Sequence, residues 1–276
     1  VNPFCFEAIN WSPYFWTPDL PDCPPTAERI VAAAAAAGFR WISFDEQALA
    51  AEVEAGRPLS ALRKQVEQAG LRVLALHSVA LSEDRAATIS ATEAFLPALA
   101  ELGACWVQVG ATSPLGPRLF ESTRAAAGIV AQAGARLAIE FLPFLPVASI
   151  EQTRSLIEAA TSGRERAAIV PDSWHFFHGP NDWDDLASLR PDELAYVQFD
   201  DHPSLESDDL LLETTQRRVP PGSGTFDLAR FATTLRAGGF EGPVGLEHLS
   251  RTDRVRPVED VAIELARAAG PYWSAN

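Results

Sequence analysis

Four oxygen-bearing side chains each stand near the C-terminal end of a short apolar run: Glu140 in RLAIEF, Asp172 in AAIVPDS, Gln198 in LAYVQFD and Glu247 in PVGLEHL. A carboxylate in such surroundings is unfavourable alone, because desolvation and neighbouring like charge both disfavour ionisation. Brought together, three carboxylates and an amide oxygen form a hard donor set suited to Mg²⁺, Mn²⁺ or Co²⁺ rather than a thiolate-rich zinc site. Such a site supports proton abstraction next to a carbonyl: the cation polarises carbonyl and hydroxyl oxygens, and a glutamate takes the proton. Any one of these residues alone would more often serve a helix N-terminus or an arginine. The combination carries the reading.

Other residues gather around these four. His175 follows Asp172 by three positions in PDSWHFFHG, within reach of a substrate oxygen or of a place beside the metal, with a packed loop histidine as the alternative. Arg218 sits in the turn-rich RRVPPGSG, where a guanidinium could clamp a substrate hydroxyl, carboxylate or phosphate, or simply lie on the surface. His77 ends LALH, and Trp11, Phe15 and Trp16 follow the first apolar run. They are candidate polar and apolar walls of a pocket. His178, His202 and His248 stand near the same runs, but their spacing assigns them no role.

Positioning these residues is the task of a repeated unit. Apolar runs alternate with Ala-rich stretches of helical period, the signature of βα units around a parallel sheet. The runs are PFCFEAI, RWISFD, RVLALHSVAL, CWVQVGA, RLAIEF, AAIVPDS, LAYVQFD and PVGLEHL. Helices are expected through TAERIVAAAAAAG, with Thr26 as N-cap and Gly38 as stop, before EQAG, over 83–102, through STRAAAGIVAQAG, and near 148–161, 225–237 and 257–269. Eight strands predict an α/β fold, a single (β/α)8 TIM barrel over residues 1–276, whose C-terminal strand ends open on one face. The sixth unit offers only a short helix, and a long loop follows the seventh strand.

Composition narrows the classes. Acidic residues outnumber basic ones 37 to 22, a net charge of −15, which disfavours nucleic acid and anionic membrane surfaces as partners. No apolar stretch reaches the roughly 20 residues of a membrane span. Cys5, Cys23 and Cys105 show no CxxC spacing, so neither a disulfide framework nor a thiolate zinc site is indicated. The opening VNPFCFEAINW lacks a signal-peptide pattern, and a cytoplasmic location is expected.

Across nearly its whole length the chain resembles the sugar phosphate isomerase/epimerase superfamily of xylose isomerase-like TIM barrels, through AIEF, PDSWH, YVQFDD, RRVPPGSGTFDL and GFEGPVGLEH. The resemblance implies one divalent metal, Mn²⁺ or Mg²⁺ with Co²⁺ also compatible, held by Glu140, Asp172, Gln198 and Glu247. It implies Glu140 and Glu247 as acid/base groups, and His175 and Arg218 in contact with a small sugar or polyol. Family members often pair as dimers or tetramers, which leaves a homo-oligomer open. Gln198 stands where His is more frequent, a similarity to hydroxypyruvate isomerases and 3-dehydroshikimate dehydratases. Asp200 replaces the Lys of a HIKD-like run, and Pro146 stands where ketose 3-epimerases carry Glu.

The leading expectation is isomerisation or epimerisation of a keto-sugar or related polyol through a metal-stabilised ene-diolate. The same site would be a hydro-lyase if the intermediate expelled a β-hydroxyl from a cyclic hydroxyketone, such as a 3-dehydroshikimate-like or inosose-like compound. A metal-dependent endonuclease on this barrel would need many His ligands, and the chain has five histidines and strong negative charge. A barrel that binds a sugar without turnover is the third class, separable by the effect of losing Glu247.

Overall fold

A computed structural model describes residues 3–17, 20 and 24–273; Cys23 of the sequence reading lies outside them. Apolar residues, with Val the commonest, make up most of eight parallel strands: β1 (Phe4–Glu7), β2 (Trp41–Asp45), β3 (Arg72–Leu81), β4 (Trp106–Ala111), β5 (Arg136–Glu140), β6 (Ala168–Val170), β7 (Val197–Gln198) and β8 (Val244–Leu246). They hydrogen-bond in the order β6-β5-β4-β3-β2-β1-β8-β7. Parallel bridges Ile169–Leu194 and Asp172–Gln198 cross the remaining gap, so the expected (β/α)8 barrel forms and is nearly closed. Pro171 has no N–H to extend β6, yet its carbonyl accepts from Gln198 N at 2.9 Å.

The helices are α1 (Ala27–Ala36), α2 (Glu46–Glu54), α3 (Leu59–Gln68), α4 (Arg85–Leu102), α5 (Pro117–Gln132), α6 (Ile150–Ala160), α7 (Ser173–His178), α8 (Trp183–Ala187), α9 (Leu210–Gln216), α10 (Leu228–Ala237) and α11 (Val258–Trp273). Thr26 caps α1 by accepting from Arg29 N, and Gly103 ends α4 at φ 66, a conformation glycine adopts without a Cβ penalty. Two elements differ from the sequence reading. The helix before EQAG is two helices, α2 and α3, separated at Gly56 and Pro58. The long loop after β7 carries α9, whose Leu211 and Leu212 are exposed; it therefore lacks the apolar stripe by which a helix is recognised in sequence. Among the described residues no helix is long and apolar enough to cross a membrane.

Strand alternation divides the core. One cluster packs the outer face of the sheet against the helices, with Phe6, Ile42, Phe44, Val107, Ile139 and Leu246 in it. A second, containing Cys5, Leu74, Ala138, Ala168, Val170 and Tyr196, fills the barrel. At its N-terminal end Arg72 lies over Trp41 at 4.5 Å and Arg136 over Trp106 at 4.7 Å. Towards the C-terminal strand ends the inward residues turn polar: Glu7, Ser43, Gln108, Glu140 and Gln198 are all buried.

Candidate active site

Glu140 ends β5, Asp172 follows β6, Gln198 ends β7 and Glu247 follows β8, and all four are buried. Asp172 Oδ1 accepts from His175 N at 3.1 Å. This cap starts α7 and, within one turn, brings His175 Nε2 to 3.2 Å from Glu140 Oε1. Glu140, Asp172 and His175 each offer a ligand atom, all within 4.8 Å of one another.

Two amides link the glutamates. The Tyr196 hydroxyl donates to Gln108 Oε1, which points Gln108 Nε2 at Glu140 Oε2, 2.8 Å, and at Gln198 Oε1, 3.3 Å. Gln198 Nε2 in turn donates to Glu247 Oε1 at 2.9 Å. Each glutamate thus has one oxygen fixed by an amide. Burial, together with the nearby Glu7 and Glu140 charges, holds the Tyr196 phenol well above its ordinary range, so it remains a donor.

Arg218 is the cation of this side and is only 1% exposed. Its Nη1 donates to Asp172 Oδ2 at 2.9 Å and Asp200 Oδ2 at 2.7 Å, and lies 3.2 Å from Glu247 Oε2. Nε and Nη2 are taken by the carbonyl and hydroxyl of Thr214. Three carboxylates therefore surround one guanidinium. Burial opposes ionisation at Asp172, but Arg218 and His175 outweigh it and hold that carboxyl below its usual range. For Glu247, burial outweighs Arg218 and pushes the carboxyl up to about 8; for Asp200 it does so well above the ordinary value. The segment carrying Arg218 is anchored by Asp201, whose carboxylate accepts from the amides of Gly222, Gly224 and Phe226. A Cβ on Gly224 would lie 2.2 Å from Asp201 Oδ1.

The opposite side of the barrel buries a different set. Glu7 Oε2 accepts from Ser43 Oγ and lies 3.1 Å from His77 Nε2. Glu7 Oε1 would be 2.0 Å from a Cβ on Gly245, so only glycine leaves β8 room for this carboxylate. Burial lowers the His77 pKa, but Glu7 more than compensates and the net shift is upward. Above this layer, Ser12, Phe15, Asp45 and His77 help to line a cavity of about 360 Å³.

The structure thus brings Glu140, Asp172, Gln198, Glu247, His175 and Arg218 into one network and places His77 across from it. Of the aromatic candidates, Phe15 lines the cavity, whereas Trp11 stacks on Phe6 at 5.3 Å and belongs to the core, and Trp16 packs against that core. His178 and His202 join an aromatic cluster with Trp174, and His248 pairs with Asp253. Gln108, Tyr196 and Glu7 escaped the sequence reading. Gln108 and Glu7 carried the signal that marked Glu140, a polar residue within an apolar strand; Tyr196 carried none.

The donor set fits a divalent cation. Glu140 Oε1 is buried and accepts no hydrogen bond, with His175 Nε2 3.2 Å away, and a buried carboxylate oxygen left so is normally compensated. Comparison with known proteins agrees in fold. The family model described as xylose isomerase-like TIM barrel matches residues 31–269. A 3-dehydroshikimate dehydratase of Pseudomonas aeruginosa is 30% identical over 152 residues, 54% of this chain and 23% of that protein. An inosose isomerase of Halalkalibacterium halodurans is 26% identical over 141 residues, 48% of each chain. The matched segments thus span under half the length of either relative. The structure of an IOLI protein with a bound zinc atom superimposes with a TM-score of 0.82 at 16% identity, covering 99% of this chain and 100% of that one.

Proposed function

The chain belongs to the xylose isomerase-like TIM barrel family, and from that premise we propose that it is a metal-dependent enzyme that isomerises or epimerises a keto-sugar or related polyol. The observation that carries this reading is the pair of buried glutamates joined through Gln108 and Gln198, beside a histidine and an aspartate at ligand distance. Glu140, Asp172, Gln198 and Glu247 would hold one Mn²⁺ or Mg²⁺, Co²⁺ being compatible with the same oxygens. When bound, the ion supplies polarisation of the substrate's carbonyl and hydroxyl oxygens.

The chain's own groups do the rest. Glu140 and Glu247, each with one oxygen fixed by an amide, take and return the proton next to the carbonyl. His175 and His77 donate to substrate oxygens. Arg218 positions Asp172 and Glu247 and balances their charge; a direct contact with substrate would require one of its present partners to yield. The 3-dehydroshikimate dehydratase relative favours a second reading, a hydro-lyase of a cyclic hydroxyketone, in which the raised pKa of His77 suits it to protonate a departing hydroxyl. Incubation of the Mn²⁺-loaded protein in D₂O with keto-sugars and cyclic hydroxyketones tests both. Deuterium should enter next to the carbonyl, and Glu247→Gln should slow this by about 100-fold or more. No exchange with any member of the panel would refute the proposal.

A further inference from the structure

The side-chain amides of Gln108 and Gln198 each have a donor end and an acceptor end of nearly the same shape, so their orientation is decided by their partners alone. Gln108 is 3% exposed, and Gln198 and Tyr196 are fully buried. Solvent therefore cannot compensate an amide turned the wrong way. The Tyr196 hydroxyl donates to Gln108 Oε1, which leaves Gln108 Nε2 as the end facing Glu140 Oε2 at 2.8 Å and Gln198 Oε1 at 3.3 Å. Gln198 Nε2 is then the end facing Glu247 Oε1 at 2.9 Å. Orientation thus passes from Tyr196 to Gln108, from Gln108 to Gln198, and from Gln198 to Glu247.

Tyr196 is well placed to anchor this chain. It precedes Gln198 by two positions, and both side chains point into the barrel. Its ring packs in the interior cluster with Cys5, Ala138, Ala168 and Val170, and among the described residues its hydroxyl makes one hydrogen bond, to Gln108. Gln108 reaches the same space from β4. Turned end for end, the Gln108 amide would set its oxygen against Glu140 Oε2 and Gln198 Oε1, three acceptors without a hydrogen among them. Without the phenol, Gln108 Oε1 would be buried with no donor, and the amide would be released to seek one.

We propose that Tyr196 and Gln108 are positioning residues of the metal site: through Gln108, the Tyr196 hydroxyl holds Gln198 with its carbonyl oxygen turned away from Glu247 and able to serve as a ligand. The inference rests on the reading of Gln198 as a metal-holding residue and adds two residues that need touch neither ion nor substrate. Gln198 Oε1 has two lone pairs, and Gln108 Nε2 engages one of them. Turned the other way, Gln198 would present an N–H, which cannot ligate a cation. Groups that orient a ligand in this manner are worth about 10- to 100-fold in metal affinity.

Tyr196→Phe removes the hydroxyl and keeps the ring. Gln108→Met fills similar space without an amide and carries the test should the first variant not fold. Calorimetric Mn²⁺ titration is made on the wild type, each variant, Gln198→Ala, and each variant combined with Gln198→Ala, with unfolding temperatures measured alongside. Tyr196→Phe and Gln108→Met should each weaken Mn²⁺ binding by about tenfold. In the Gln198→Ala background each should add less than about twofold, because both act through that amide. A merely structural role would lower the unfolding temperature and leave the affinity of the folded protein unchanged, and that result would overturn the inference. Equal losses with and without Gln198 would overturn it as well. Wild type that binds Mn²⁺ while neither folded variant is weakened refutes the positioning role alone; wild type that binds no Mn²⁺ refutes the metal-dependent reading and this inference with it.

Discussion

The two sides of the barrel mouth bury acidic groups by different means. On the β5–β8 side, Asp172, Asp200 and Glu247 crowd around Arg218, and Gln108 and Gln198 carry hydrogen bonds across to Glu140. On the β1–β3 side, Glu7 and Asp45 meet Ser43, His77 and Ser12, all groups that are neutral or can become so. A permanent cation lets one side concentrate charge, whereas the other must disperse it and leaves a cavity. Arrangement follows from compensation: one side gathers its carboxylates around a permanent cation, and the other spreads them among hydroxyls and a histidine.

Removing the cation should have the largest effect. Arg218→Met leaves Asp172, Asp200 and Glu247 without their shared cation and is expected to lower the stability of the metal-free protein by about 3–5 kcal/mol in urea unfolding. His77→Gln, on the other side, leaves Glu7 its bond from Ser43 and should lower it by less than about 2 kcal/mol. Equal losses would erase the contrast.

Metal addition sharpens it next. Mn²⁺ at about 100 times its dissociation constant should stabilise the folded protein by about 2.7 kcal/mol, read as a rise in unfolding temperature. Gln198→Ala should weaken Mn²⁺ binding by about tenfold or more and His175→Ala by less, by calorimetric titration. The reverse order would shift the ion from the strand-seven amide toward the Glu140, Asp172 and His175 group.

A final contrast concerns pH. In the metal-free protein the Glu247 carboxyl lies at about 8, above an unfolded value of roughly 4.3. The folded state therefore holds an extra proton between those values, and this residue makes stability fall as pH rises through that window. The variant Glu247→Gln cannot lose that proton, so its unfolding temperature at pH 8 should exceed that of the metal-free wild type, with little difference at pH 4. Superimposable pH profiles would mean that Arg218 compensates Glu247 fully.

Legibility in the sequence followed periodicity. Strand-end residues such as Glu140 and Glu247 interrupt apolar runs, so their position and burial could be read from alternation alone. Gln108 and Glu7 obey the same rule, but their importance depends on which strand faces which across the barrel. The α9 helix was hidden because Leu211 and Leu212 are exposed while Glu213 is fully buried against Arg217 and His202. Arg218 reads as a turn residue. Its place among three carboxylates depends on a turn anchored by Asp201, some twenty positions away along the chain.

By itself, the sequence determined the repeated βα unit, the count of eight strands and the acidic residues at their ends, because local hydrophobic period and helix caps are written residue by residue. Only the tertiary structure decided how those acids are compensated: that Arg218 is shared among Asp172, Asp200 and Glu247, that two amides join Glu140 to Glu247, and that Asp45 keeps an unpaired buried oxygen. These are through-space relations between distant strands. Desolvation and Coulomb energy depend on distances across the barrel, which no local pattern encodes.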